Sequence, residues 1–275
     1  MDLRIVNTCN NNCLYCLEQP LRWKEPFISK EKIFNVLKDV KEKNLTFYGW
    51  NPLLHPDLME IVLFASKVWF KNIGILTNTF WLDKYNLIDF KKNNLTTFGV
   101  YFNSFDKEKH SLLVGKEGIK LRELLSNIKF LKSNKFFVKI IIYVNKQNIE
   151  NLYKDVIILA TKFKINRFEF INYFPFDRPY EKYHSLLGYL PQMYTSSINT
   201  LFKTIKHLKL TVNFAKFPKT FFWNNIEYYN FQRWIVEQIW EEDEIIINWN
   251  KVPFCKTEWR CEFCFLQDYC KRYGI

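Results

Sequence analysis

From Leu3 to Phe174 the chain alternates short, β-rich apolar runs with longer segments of helical spacing, and this rhythm limits its fold more than any other feature. "LRIV" (3–6) and the runs at 45–49, 72–79, 95–104, 136–145 and 167–174 read as strands. Five helical segments lie between them. In "ISKEKIFNVLKDVKEK", Ser29 stands at the N-cap, and Ile33, Val36, Leu37 and Val40 recur at i, i+3, i+4 and i+7. Leu58, Ile61, Val62 and Ala65 share one helical face, with Pro56 near the helix start. Leu121, Leu124, Leu125 and Ile128 repeat the pattern, and "WLDKYNLIDFKKNN" and "IENLYKDVIILATKFK" supply the other two helices. Crossovers of this length require parallel pairing, with helices covering the sheet. Six units are too few for the closed eight-stranded barrel, which takes about 250 residues. The predicted fold is therefore α/β, an open or partial (β/α)6 barrel. Ligands of such folds gather at the carboxyl ends of the strands.

After Pro175 the rhythm changes, which divides the chain into a core at 1–175 and a C-terminal extension at 176–275. "PQMYTSSINTLFKTIKHLK" reads as a helix and "LTVNFA" as a strand, before a Trp- and Phe-rich stretch and a cysteine-rich end. With 48% hydrophobic and 25% charged residues, the composition is that of a soluble globular protein. No apolar run approaches the roughly 20 residues that span a bilayer. "MDLRIVNT" has neither the basic nor the apolar region of a signal peptide. The expected location is the cytoplasm, where thiols stay reduced, so seven cysteines point to metal or redox chemistry rather than disulfides. The net charge of +12 raises nucleic acid as a partner. Only 8 of the 40 basic residues are Arg, however, and 27 Asn accompany the Lys excess. That favours compositional bias and a solvated lysine surface over a phosphate track, while RNA stays open as a substrate.

The first strand runs into "CNNNCLYC", which puts Cys9, Cys13 and Cys16 on the functional rim. Structural zinc takes four ligands, often in C-x2-C pairs, and no fourth Cys or His lies nearby. Three thiolates can instead hold three irons of a cubane cluster and leave one iron open.

This C-x3-C-x-aromatic-C arrangement after the first strand of a βα repeat resembles the radical SAM superfamily, and the likeness extends over the first 175 residues. The resemblance implies a 4Fe–4S cluster on Cys9, Cys13 and Cys16 whose open iron chelates S-adenosylmethionine (SAM). It places Tyr15 near the adenine. The family's Gly-Gly-Glu-Pro at the end of strand two corresponds to Gly49, Trp50, Asn51 and Pro52, of which only Gly49 and Pro52 match. "LTNT" matches its strand-three Thr-Asn-Gly, making Thr77 and Asn78 candidates beside the SAM ribose or carboxylate. Asn103 and Ser104 replace the Asp-bearing end of strand four. His55 is expected to cap or pack rather than act as a base. No general base stands out.

Cys255, Cys261, Cys264 and Cys270 form C-x5-C-x2-C-x5-C, enough thiols to close either a zinc site or a second 4Fe–4S cluster. "CEFCFLQDYC" resembles the ending of twitch and SPASM extensions, which implies an auxiliary cluster. By the same resemblance, an electron entering the first cluster passes to SAM and splits its C–S bond. The resulting 5′-deoxyadenosyl radical abstracts hydrogen from the substrate. Families with this ending commonly modify ribosomally made peptides, the leading expectation here. Small-molecule biosynthesis and RNA modification are the enzyme alternatives, and a non-catalytic zinc-binding adaptor is one of another class. Implied partners are an electron donor such as flavodoxin or ferredoxin and the substrate. Because the first strand starts at the N-terminus, a peptide substrate is expected to need direct docking or a separate recognition protein.

Overall fold

The computed structural model describes residues 1–16, 25–115, 118–173, 183, 185–189, 191–215 and 217, and the backbone of two short strands at 235–236 and 247–248. Seven strands form one parallel sheet in chain order: β1 (Asp2–Val6), β2 (Asn44–Gly49), β3 (Asn72–Thr77), β4 (Leu95–Tyr101), β5 (Phe137–Val144), β6 (Arg167–Asn172) and β7 (Thr211–Ala215). Among the described residues β1 and β7 do not pair, so the sheet stays open, as a partial barrel does. Ile235–Val236 (β8) and Ile247–Asn248 (β9) make a separate antiparallel pair.

The crossovers carry α1 (Lys30–Asp39), α2 (Leu58–Val68), α3 (Leu87–Lys92), α4 (Lys107–Val114), α5 (Leu121–Ser133), α6 (Leu152–Lys162) and α7 (Thr195–His207). Ser29 caps α1 by accepting from the Lys32 amide at 3.4 Å. All four α2 positions read as one face are buried. Among the described residues no helix is long and apolar enough to cross a membrane.

Period-two alternation gives the sheet two unlike faces. Leu3, Phe47, Ile75, Phe98, Ile140, Phe168 and Phe170 sit on the helix-packed face and are essentially inaccessible. The register puts Arg4 beside Tyr48, Tyr101 beside Ile141, and Glu169 between Ile141 and Asn213 on the other face. There, buried Glu169 pairs with the Lys139 ammonium.

Three features differ from the sequence expectation. The sheet has seven strands rather than six. "LTVNFA" joins it past residue 175, because Phe214 stacks on Phe170 (5.0 Å) and packs against Phe202 of α7 (5.4 Å). The segment at 81–94 breaks into a 3-10 turn at Leu82–Lys84 and the short α3, since Asn86 accepts from the Ile88 amide at 3.0 Å and starts a new helix. The β4–β5 crossover holds two helices. Asp106 caps α4 by accepting from the Glu108 and Lys109 amides, and Gly115 ends it at φ 86°, a value L side chains resist.

Candidate functional site

The loop after β1 is built onto the end of α4. The Asn12 and Leu14 amides donate to the carbonyls of Val114 and Leu113 at 2.8 and 3.0 Å, and Asn11 Oδ1 accepts from the Ile119 amide at 2.9 Å. A Cβ on Gly115 would lie 3.0 Å from the Asn12 Cβ, so the glycine also permits the approach of the two segments.

This leaves Cys9, Cys13 and Cys16 half-buried, with N–H donors aimed at their sulfurs. Cys9 Sγ accepts from the Asn11 amide at 3.3 Å and from Asn78 Nδ2 at 3.6 Å. Asn11 Nδ2 lies 3.8 Å from Cys13 Sγ, and the Trp50 indole donates to Cys16 Sγ at 3.1 Å. Burial, and then the neighbouring Cys9 and Cys16, push the Cys13 thiol up to about 12. Three neighbouring thiols with N–H donors turned toward their sulfurs suit ligands of a cationic centre. Among the described residues no three His, Cys, Asp or Glu side chains are placed to hold a single ion. A cluster meets its thiolates at different irons and needs no such common point. The residues present therefore fit a 4Fe–4S cluster.

Around the thiols, the ends of three strands are tied together. Asn10 Oδ1 accepts from Asn78 Nδ2 (2.9 Å) and Asn51 Nδ2 (3.3 Å), while Asn51 Oδ1 accepts from the Thr77 hydroxyl at 2.7 Å. Thr77 Oγ1 in turn accepts from the Thr79 amide, and Asn78 Oδ1 from the Phe80 amide. Asn51 and Thr77 are wholly buried. Gly49 turns β2 into this mesh at φ 119°, where a Cβ would stand 2.4 Å from the Val6 carbonyl oxygen. Pro52 then opens a 3-10 turn at Pro52–Leu54.

On the other side of the loop the surroundings are aromatic. Tyr15 stacks on Tyr143 with centroids 4.7 Å apart, next to Leu113, Tyr173 and Leu187. Burial raises its phenol well above the ordinary value, and Cys13 and Asn103 both interact with its side chain. Ser104 is placed differently. Its Oγ accepts from the Asp106 amide at 3.1 Å, and its side chain hydrogen-bonds Asp155. Asp155 is buried on α6, and that burial raises its carboxyl to about 6.

Of the residues expected at the site, the three cysteines, Trp50, Asn51, Thr77 and Asn78 share one network. Gly49 and Pro52 shape it, Tyr15 and Asn103 adjoin it, and Ser104 braces a neighbouring turn. His55 packs: its Nδ1 accepts from the Asp57 amide, so Nε2 carries the proton and donates to the Ile28 carbonyl at 2.9 Å. Asn10, Asn11, Tyr143 and Asp155 were not singled out from the sequence. Three consecutive Asn between the cysteines were the available signal for the first two. Cys255, Cys261, Cys264 and Cys270 lie outside the described residues.

Three thiols at the strand-end rim of an open parallel α/β barrel define an iron–sulfur enzyme class. The family profile described as "Radical SAM superfamily" matches residues 3–156, and the chain belongs to that superfamily. Membership implies a 4Fe–4S cluster and SAM as cofactors. A probable GTP 3′,8-cyclase of Methanothermobacter thermautotrophicus is 27% identical over 118 residues, 42% of this chain and 38% of the relative. The chain thus spans about two fifths of the length of the curated relatives it first matches. Among solved structures, Streptococcus suis SuiB bound to precursor peptide SuiA aligns over 80% of this chain and 49% of its own (TM-score 0.63, 16% identity). Native anSMEcpe with bound AdoMet aligns over 77% of this chain and 64% of its own (TM-score 0.59, 19% identity). These likenesses are of fold.

Proposed function

We propose that this radical SAM enzyme cleaves SAM reductively and uses the radical to abstract hydrogen from a ribosomally made peptide, leading to an oxidative modification. The observation that carries the reading is the trio of donor-flanked thiols joined through Asn10 to Asn51, Thr77 and Asn78. Cys9, Cys13 and Cys16 would hold the cluster. When bound, the cluster supplies one electron that breaks the sulfonium C–S bond, giving methionine and a 5′-deoxyadenosyl radical. That electron would come from a donor such as reduced flavodoxin or ferredoxin. Gly49, Trp50 through its backbone, Asn51, Pro52, Thr77 and Asn78 would border SAM, with Tyr15 against its adenine and Asn103 beyond. The stacked rings of Tyr15 and Tyr143 would help keep water from the reacting carbon. Cys255, Cys261, Cys264 and Cys270 would close an auxiliary 4Fe–4S cluster that accepts the electron left on the substrate after hydrogen abstraction. Recognition of the peptide by direct docking or through a separate protein belongs to the same reading, as does a cytoplasmic setting.

The peptide is supported by the SuiB fold neighbour, whose structure contains its precursor peptide. A second reading, a purine nucleotide as substrate, is favoured by the GTP 3′,8-cyclase relatives. Anaerobic enzyme reduced with dithionite should convert SAM to equal amounts of 5′-deoxyadenosine and methionine. S-adenosylhomocysteine as the sole product would overturn the reading. A deuterated substrate peptide should pass deuterium into 5′-deoxyadenosine; transfer from deuterated GTP instead would favour the nucleotide. Iron analysis should find about eight irons per chain. Zinc at the C-terminal site would remove the auxiliary cluster and leave the first reading intact.

A further inference from the structure

Position 50 carries the largest side chain of the protein alphabet where the resemblance predicts a glycine. A backbone-only role for this residue would not require an indole. The side chain is nonetheless folded into the site, 7% exposed, and its Nε1–H reaches 34 residues back along the chain to Cys16 Sγ at 3.1 Å. Indole is a donor only, so the direction of this hydrogen bond is fixed by chemistry. A thiol sulfur accepts weakly, but a thiolate bound to iron accepts more strongly, and N–H donors to such sulfurs draw off electron density and raise the reduction potential of the cluster. Cys9 and Cys13 take their donors from Asn11 and Asn78, which belong to the cysteine loop and to the polar strand-end mesh. Cys16 takes its donor from a buried ring on the turn after β2. Packing alone explains an aromatic residue here; it does not explain a ring nitrogen aimed at sulfur.

We propose that Trp50 is a positioning residue whose indole N–H holds the Cys16 sulfur and sets the reduction potential of the cluster bound there. The inference rests on the cluster assignment, and iron content separates the two: protein that takes up no iron at Cys9, Cys13 and Cys16 defeats that assignment, whereas loaded protein tests Trp50 alone. The experiment replaces Trp50 by Phe, and separately by 3-benzothienylalanine, which keeps the bicyclic shape and lacks the N–H. Each reconstituted holoenzyme is titrated electrochemically, following the EPR signal that SAM perturbs. Both variants should retain iron and show a roughly tenfold lower reduced-to-oxidised ratio at matched solution potential, about 59 mV for one electron. An unchanged potential in the benzothienyl protein would overturn the proposal. So would loss of iron from that protein, because the N–H would then be needed to build the loop rather than to tune what the loop holds.

Discussion

The two halves of the strand-end rim are built from different materials. Over β1–β3 the rim is a polar mesh in which Asn10, Asn51, Thr77 and Asn78 satisfy one another, the last three of them buried. Over β4 and β5 the rim carries rings: Tyr143 lies between Tyr101 at 6.4 Å and Tyr15 of the cysteine loop at 4.7 Å. Asn148 on that side serves the backbone, its Nδ2 donating to the carbonyls of Asn103 and Tyr143. A mutually satisfied polar network fixes geometry and tolerates little change. An aromatic wall excludes water and admits small adjustments. The first half suits a cofactor of fixed shape, the second a reaction that must stay dry.

The largest test of this contrast removes its hinge. Replacing Cys9, Cys13 and Cys16 with Ala should cut bound iron from about eight to about four per chain and reduce 5′-deoxyadenosine formation to background. Retained cleavage would dissolve the contrast altogether.

Next comes Gly49→Ala on the polar side. The added Cβ meets the Val6 carbonyl at 2.4 Å in a backbone conformation that L residues avoid. Strained backbone alone costs roughly 1–3 kcal/mol, and the clash adds to it, so the loss should be at least about 3 kcal/mol in denaturant titration. SAM affinity should fall with it, measured calorimetrically. An equal stability with intact SAM binding would show that the mesh does not depend on this turn.

Asp155 braces the other half. Its folded carboxyl titrates near 6 because of burial, against an ordinary value of 3.8. The folded state therefore keeps a proton that the unfolded chain has released. Stability falls as pH rises from about 4 to about 6, by an amount on the order of 2 kcal/mol. Buried His55 and His110, both lowered by burial, contribute the opposite slope as pH falls below 6.5. Comparison with Asp155→Asn isolates the carboxyl: the difference in stability between the two proteins should change across pH 4–6 and be flat above it. A difference that is constant with pH would contradict the assigned burial effect.

The smallest effect is expected from Tyr143→Leu. Losing the stack costs about 0.5–1.5 kcal/mol beyond area. SAM binding should hold while uncoupled 5′-deoxyadenosine rises relative to modified product. A selective loss of SAM affinity would assign Tyr143 to the cofactor half instead.

Much of the fold was legible because the helix faces and strand runs are strongly periodic. The positions predicted inward on α2 are all buried, and the cysteines sit at the rim where a βα unit puts its first loop. Local caps hid the rest. Asn86 sits inside an apparently continuous helical period and divides it. Helix α4 buries only His110, Leu113 and Val114, too short a stripe to announce itself. The seventh strand depends on Phe214 meeting Phe170 and Phe202, contacts that include segments far apart in the chain. The same reason hid Asn10 and the side-chain role of Trp50: their partners lie 34 to 68 residues away, and no local spacing encodes them.

The central claim, that Cys9, Cys13 and Cys16 hold a cluster with one iron open to SAM, is tested most directly by EPR. Protein carrying Ala at Cys255, Cys261, Cys264 and Cys270 is reconstituted anaerobically, reduced, and recorded with and without SAM. The account predicts about four irons per chain and a 4Fe–4S signal whose g-values shift when SAM is added. Iron-loaded protein whose spectrum is indifferent to saturating SAM would contradict it, as would zinc in place of iron at these three thiols.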